Sequence, residues 1–181
     1  MTDTDEQAPE EIVWQGRFIT AKTRGRWEYV SRSRGIRAAV ILAQDENDHV
    51  LLVEQYRVPL GRRCIELPAG LIGDDDGAEG EDALSAAGRE LEEETGYRAS
   101  RLEDMGTYFS SPGMVSESFT LVRARGLTRV GNGGGVEGED ITVYRVARPD
   151  LPHFISDKRA EGCGIDVRML LLLGNGIIEG E

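Results

Sequence analysis

Arg89-Glu90-Leu91-Glu92-Glu93-Glu94-Thr95-Gly96-Tyr97, with Glu81 eight positions before Arg89, places a helix, a cluster of acids and a helix terminator in one short string. On a helix Glu90, Glu93 and Glu94 are related by i,i+3 and i,i+4 spacing, so three carboxylates fall on one face while Glu92 points elsewhere. Like charges placed this way repel. A hard divalent cation with an oxygen-only preference removes that cost and brings a catalyst with it, and magnesium fits best. Taken alone, a run of glutamates reads as a solvated helix face. Arg89, Gly96 and Tyr97 make the pattern richer than that.

The elements that must position these acids follow from patterning. Ala83, Leu84, Ala87 and Leu91 recur at helical spacing on the opposite face, so one side of the helix packs on a sheet and the other meets solvent and metal. Gly96 suits the C-terminal end, whereas Gly88 in mid-helix costs roughly 1 kcal/mol against Ala and implies close packing. Ala38–Ala43 and Val50–Tyr56 flank the turn composition of residues 44–49 and are expected to pair in the core. Ile12–Thr20 and Arg26–Arg32 read as a hairpin around a turn at 21–25. Further strands are expected at Arg101–Ser110, Ser116–Ala124 and Asp140–Ala147, and a closing helix at Ile165–Leu173. The glycine-rich stretch 130–139 reads as a mobile loop, and residues 1–11, acidic with almost no apolar anchors, as a disordered tail.

The acid string resembles the Nudix box, whose family pattern is Gly-x5-Glu-x7-Arg-Glu-U-x-Glu-Glu-x-Gly-U with U apolar, and from Glu81 onward the match is complete. Leu67-Pro68-Ala69-Gly70-Leu71-Ile72 looks like its lead-in, but ten residues separate Gly70 from Glu81 where the family has five. The extra five belong to the acidic, glycine-rich stretch 73–80, expected to bulge into solvent without touching the chemistry. The resemblance implies an α/β chain with the Nudix fold, an α/β/α sandwich around a mixed sheet. It divides the sequence into the tail 1–11, a small N-terminal antiparallel β extension at 12–35, and a Nudix hydrolase domain at 36–181. In similar enzymes such an extension crosses to a partner subunit, so a homodimer is implied; a hairpin packed on its own domain is the alternative.

Segments outside the box narrow the resemblance to ADP-ribose pyrophosphatases and related nucleoside diphosphate sugar hydrolases. Val53–Gly61 and Cys64–Gly70 are similar to the strands that precede their box, and Pro112 falls fifteen residues past Tyr97, where that subfamily carries a marker proline. By this resemblance Glu90, Glu93, Glu94 and the Ala69 carbonyl hold two or more Mg2+ ions, with Mn2+ as a substitute. Arg89 holds the box carboxylates in register, and Glu137, supported by Glu139, serves as catalytic base. Arg57, reinforced by Arg37 or a partner arginine, clamps the diphosphate. Trp27 stacks on the base, with Trp14 and Phe18 as candidates for the same role. Singly, several of these have plainer readings: Pro112-Gly113 is a turn, Arg57 a surface strand residue, Trp27 a filler of the small sheet and the loop acids a solvated connection.

The implied reaction is metal-dependent hydrolysis of ADP-ribose to AMP and ribose 5-phosphate by attack of water on phosphorus. GDP-mannose or another nucleotide sugar is the close rival. The proline- and tryptophan-rich motif of NADH hydrolases and the coenzyme A motif are missing from the sequence. A non-catalytic module that binds ADP-ribose, and removal of oxidised nucleoside triphosphates, are further alternatives.

Bulk properties fit this reading. A chain of 181 residues makes one domain with a full core. Its formal net charge of -12 argues against a nucleic-acid backbone as partner. Cys64 and Cys163 form no metal or redox motif and are expected as free thiols. No signal-peptide pattern opens the chain, and no apolar run approaches the ~20 residues that span a membrane, so a cytoplasmic protein is expected.

Overall fold

The structure is a computed structural model that describes residues 4–33, 36–73, 81–136 and 138–173. Its centre is β4 (Arg37–Ala43), whose alternate residues serve two different cores. Ala39, Ile41 and Ala43 face one apolar cluster, and Ala38, Val40 and Leu42 face another. A strand buried on both faces reads as an unbroken apolar run, which is what Ala38–Ala43 is.

β4 pairs with β7 (Ala69–Ile72) on one side and, in parallel, with β9 (Ser118–Arg129) on the other; β9 then pairs with β8 (Tyr97–Phe109). β5 (His49–Arg57) leaves the tight turn after β4 and joins a second sheet with β10 (Thr142–Ala147), β6 (Arg62–Glu66) and β11 (Gly164–Ile165). In that sheet only β6 and β11 run parallel. The expected mixed sheet is thus two four-stranded mixed sheets, both contributing to the larger apolar cluster. α2 (Ala83–Thr95) packs its Ala86, Ala87 and Leu91 into the smaller cluster, each fully buried. Burying Leu91 alone stabilises the helix by about 2 kcal/mol. α3 (Leu151–Ala160) covers the larger cluster through Leu151, Phe154 and Ile155.

Several expectations need correction. The hairpin at the N-terminus is a three-stranded antiparallel sheet: β1 (Glu10–Gln15), β2 (Ile19–Arg24) and β3 (Trp27–Arg32). Gly16 breaks the expected strand at 12–20, its N–H donating to Ile19 O at 2.9 Å, and the second turn is tighter than 21–25, closing at Gly25 with φ 56°. The tail at 1–11 holds, in its described part, α1 (Thr4–Gln7) and the start of β1; Asp5 is tied to Arg26 Nε at 3.0 Å and Glu10 to Lys22 at 2.7 Å, so charged pairs replace the missing apolar anchors.

The closing helix at 165–173 is instead the end of β11 followed by a 3-10 segment, Val167–Leu173. Ile165 is taken into pairing with Ile65, and the Asp166 N–H donates to Ile65 O at 3.0 Å. α3 has no counterpart among the expected elements. Pro152 lies in its first turn, where the missing N–H costs nothing, and only Leu151 is fully buried, so its apolar stripe is thin. The inserted stretch lies, for residues 74–80, outside the described residues.

Candidate active site

α2 begins and ends where its sequence dictates. Asp82 accepts the N–H groups of Leu84 and Ser85, each at 3.0 Å, and Gly96 closes the helix at φ 74° with its N–H on Glu92 O at 2.9 Å. A Cβ at Gly88 would lie 3.3 Å from Leu102 Cδ1, so the mid-helix glycine admits β8 at close range. Glu92 faces away from the other acids and pairs with Arg98 at 2.8 Å.

The remaining acids are sorted by what they touch. Arg89 gathers three of them: Nη1 donates to Glu90 Oε1 at 2.9 Å and Glu93 Oε2 at 3.3 Å, and Nη2 to Glu81 Oε2 and Leu71 O at 3.4 and 3.3 Å. Burial disfavours the Arg89 charge, but the Glu81 hydrogen bond and the charges of Glu90 and Glu81 outweigh it and hold the guanidinium protonated. Glu94 is only 5% exposed, and its Oε2 accepts the Ala69 N–H at 3.0 Å. Burial comes first in pushing the Glu94 carboxyl up to about 8; the Ala69 N–H opposes that rise, and the charges of Glu90 and Glu139 add to it. Glycine at position 70 lets the Glu90 carboxylate lie against β7, since a Cβ there would stand 1.8 Å from its carboxyl carbon.

Glu90, Glu94 and Glu139 line one cavity of about 610 Å³ together with Ala69, Gly70 and Arg57. Glu93 does not line it and is turned to Arg89, so of the three acids grouped by helical spacing only Glu90 and Glu94 share the cavity. Among the described residues no three metal-ligating side chains already converge on a point. The donor set still fits a hard cation: it offers the carboxylates of Glu90, Glu94 and Glu139, and it contains a buried acid whose charged form is costly without a cation beside it.

Behind the acids Arg57 belongs to a second charged group, whose other members, Glu66, Asp166 and Arg168, are not among the expected site residues. Arg57 forms a fork on Glu66, Nε to Oε1 at 2.6 Å and Nη2 to Oε2 at 2.7 Å, and Glu66 is 2% exposed. Arg168 reaches the same Oε2 at 3.2 Å and holds Asp166 through Nε and Nη2 at 2.8 and 2.7 Å. Glu66 within an apolar strand was the available signal, because a buried carboxylate demands a partner. Arg168 carried none, lying a hundred residues away in a stretch read as a helix.

The glycine-rich stretch is not a free loop where it is described. Gly131 N–H donates to Gly96 O at 3.0 Å, Gly134 N–H to Glu94 O at 2.8 Å and Gly135 N–H to Glu93 O at 3.0 Å, so it straps the end of α2 and satisfies its last carbonyls. Only glycine permits this approach: a Cβ at Gly133 would meet the Thr95 carbonyl carbon at 2.4 Å. Glu139 follows the strap, its Oε2 accepting the Val136 N–H at 3.0 Å. Glu137 lies outside the described residues.

The expected substrate residues do not all meet. Arg57 lines the acid cavity, but Trp27 and Pro112 line a separate one of about 250 Å³, and Arg37 a third, of about 430 Å³, beneath the N-terminal sheet. They are kept apart within one chain because the N-terminal sheet touches its own domain through β3: Val30 N–H donates to Met114 O and Ser116 N–H to Val30 O, each at 3.0 Å. Trp14, Phe18 and Trp27 are all more than half exposed on that sheet.

Compared with known proteins, residues 34–153 match the NUDIX domain model. An ADP-ribose pyrophosphatase of Mycobacterium tuberculosis is 40% identical over 94 residues, 52% of this chain and 44% of that protein. A GDP-mannose pyrophosphatase of Cronobacter sakazakii is 36% identical over 149 residues, 77% of this chain and 72% of that protein. The crystal structure of an ADP compounds hydrolase shares the fold with a TM-score of 0.67 at 24% identity, over 91% of this chain and 89% of that one. The chain spans 64% and 56% of the lengths of the first two curated relatives it matches.

Proposed function

Because the chain belongs to the Nudix family, we propose that it hydrolyses the diphosphate bond of ADP-ribose, with water attacking phosphorus to give AMP and ribose 5-phosphate. The observation that carries this reading is the cavity in which the buried Glu94, Glu90 and Glu139 face Arg57 and the Ala69–Gly70 strand. It sets acids that need a cation beside a guanidinium suited to phosphate, which is what a charged diphosphate bridge requires. The similarity to an ADP-ribose pyrophosphatase supports the substrate.

Glu90, Glu94 and the Ala69 carbonyl would hold magnesium, or manganese in its place, with two or more ions per site and Glu93 joining on rotation away from Arg89. Bound there, the ions neutralise phosphoryl oxygens and lower the pKa of the attacking water. The chain's own residues do the rest. Arg89 keeps the glutamates in register, Arg57 holds the diphosphate, and Glu137 takes the proton of the attacking water with Glu139 in support. The strap bonded to the end of α2 through Gly131, Gly134 and Gly135 ends four residues before Glu139, which supports a place for Glu139 beside the acids.

Trp27, Pro112 and Arg37 enter the same reading through a second copy of the chain, because in one copy they stand apart from the acids. The exposed Ile12, Val13, Trp14 and Phe18 on the N-terminal sheet support a homodimer. Among the described residues no helix is long and apolar enough to cross a membrane, and both cysteines are free, which supports a cytoplasmic setting.

A second reading, hydrolysis of GDP-mannose, is favoured by the longer match to a GDP-mannose pyrophosphatase. Assaying ADP-ribose, GDP-mannose, UDP-glucose, NADH and nucleoside triphosphates with magnesium and then manganese, by phosphatase-coupled phosphate release, separates the two. Highest kcat/KM on ADP-ribose is expected; a preference for GDP-mannose selects the second reading, and no turnover on any of them contradicts both.

A further inference from the structure

Arg168 and Asp166 have no role in the reaction as described, yet both line the cavity that contains Glu90, Glu94 and Arg57. Resting on the reading that a diphosphate is cleaved there, we propose that Arg168 is a positioning residue for that diphosphate, acting through Glu66 to leave Arg57 able to attract an anion.

The argument is one of charge and of donors. Glu66 is buried and accepts Arg57 through both oxygens, at 2.6 and 2.7 Å, which by itself would neutralise Arg57 and spend its positive charge inside the protein. Arg168 brings a second guanidinium to Glu66 Oε2 at 3.2 Å. It is itself fixed by a fork on Asp166, at 2.8 and 2.7 Å, and Asp166 is fixed in turn by the Arg168 N–H at 2.7 Å and by its own N–H on Ile65 O. Two guanidiniums and two carboxylates give a cluster of zero formal charge. Both arginines use Nε and Nη2 for these bonds, which among the described residues leaves the Nη1 group of each for a ligand.

Without Arg168 the cluster would carry one negative charge, in a cavity that already holds Glu90, Glu94 and Glu139. A diphosphate would then meet net repulsion on the side where it should be held. Because the effect is on holding the anion and not on the reacting atoms, it belongs in KM rather than kcat.

The test uses the full chain and three variants, Arg168→Gln, Asp166→Asn and the double Asp166→Asn/Arg168→Gln, with KM and kcat for ADP-ribose and calorimetric affinity for inorganic pyrophosphate without added metal. Arg168→Gln is expected to raise KM and weaken pyrophosphate binding by about tenfold or more, with kcat changed by less than about threefold. The double variant restores zero charge and is expected to regain pyrophosphate affinity to within about threefold of the original chain, which repair of packing would not do. An Arg168→Gln protein with unchanged KM and pyrophosphate affinity overturns the proposal, as does a double variant no better than the single one. If Arg168→Gln does not fold, Asp166→Asn decides: its extra positive charge should tighten pyrophosphate binding, and equal or weaker binding overturns the proposal. Failure of the ADP-ribose reading would show as absent turnover in the original chain, while the order of pyrophosphate affinities would still decide the role of Arg168.

Discussion

Glu94 Oε2 accepts the backbone N–H of Ala69 at 3.0 Å, a single bond that ties the acid helix to the strand entering it and brings a carboxylate almost out of water. That placement is costly for the charged form. The Glu94 carboxyl stands near 8 in the folded chain against an ordinary 4.5, so between those values the folded state binds the extra proton. The stability associated with Glu94 is therefore fully present below about 4.5 and is lost as pH rises towards 8. We expect the metal-free melting temperature to fall over this window. Magnesium should restore it at the alkaline end and have little effect at the acid end. Glu94→Gln should flatten the metal-free decline; an unchanged slope in that variant would assign it to other groups.

Gly70 and Glu90 make a steric test of the same site. A methyl group at position 70 would occupy the place of the Glu90 carboxyl, 1.8 Å from its carbon. Gly70→Ala should therefore keep the fold but displace Glu90, lowering kcat by on the order of 10². A folded Gly70→Ala protein within a few-fold of the original rate would mean that Glu90 need not lie against β7.

Stability on the other face of the β5–β6 pair rests on a different buried acid. Glu54 accepts Arg63 Nε at 2.6 Å, Tyr144 Oη at 2.9 Å and lies 3.0 Å from Lys158 Nζ, which links β5, β6, β10 and α3. Burial pushes the Glu54 carboxyl up, but the hydrogen bonds from Lys158, Tyr144 and Arg63 outweigh it and hold it below the usual range. Its stabilisation is thus present at neutral pH and lost as pH falls through its folded value. Lys158→Met should cost about 1–3 kcal/mol by urea unfolding at neutral pH, since Arg63 and Tyr144 remain. An unaltered midpoint would show that α3 is held by its apolar contacts alone.

For the base, Glu137→Gln is expected to lower kcat by about 10² to 10⁴ with little change in KM, and Glu139→Gln to do less. The reverse order would move the role to Glu139. Full kcat in both single variants and in the double variant would leave the loop without a part in the chemistry.

Much of the site could be read from the sequence because its parts are local. Glu81, Arg89, Glu90, Glu93 and Gly96 lie within one helix and its approach, and i,i+4 spacing alone brings Arg89 onto Glu93. Spacing could not reveal that Arg89 would also reach Glu90 and Glu81, nor that burial would set Glu94 apart from its neighbours. Arg168 and Glu66 meet through sheet topology, over a separation no local pattern records. Gly131, Gly133, Gly134 and Gly135 give this stretch a composition typical of mobile loops, yet their lack of side chains is what lets the backbone bond to the end of α2. The strands around β4 were legible from unbroken apolar runs. α3 and the 3-10 segment were not, because a thin stripe and an all-apolar stretch leave the period undefined.

The central claim, that Glu94 and Glu90 hold a divalent cation which drives diphosphate hydrolysis, is tested most directly by Glu94→Gln at saturating magnesium. Phosphatase-coupled turnover of ADP-ribose and magnesium-dependent thermal stabilisation would be measured on the same preparation. The account predicts a folded protein whose kcat falls by orders of magnitude and whose stabilisation by magnesium weakens, because a neutral amide cannot replace a carboxylate on a hard cation. Near-normal turnover of ADP-ribose in that variant would contradict it.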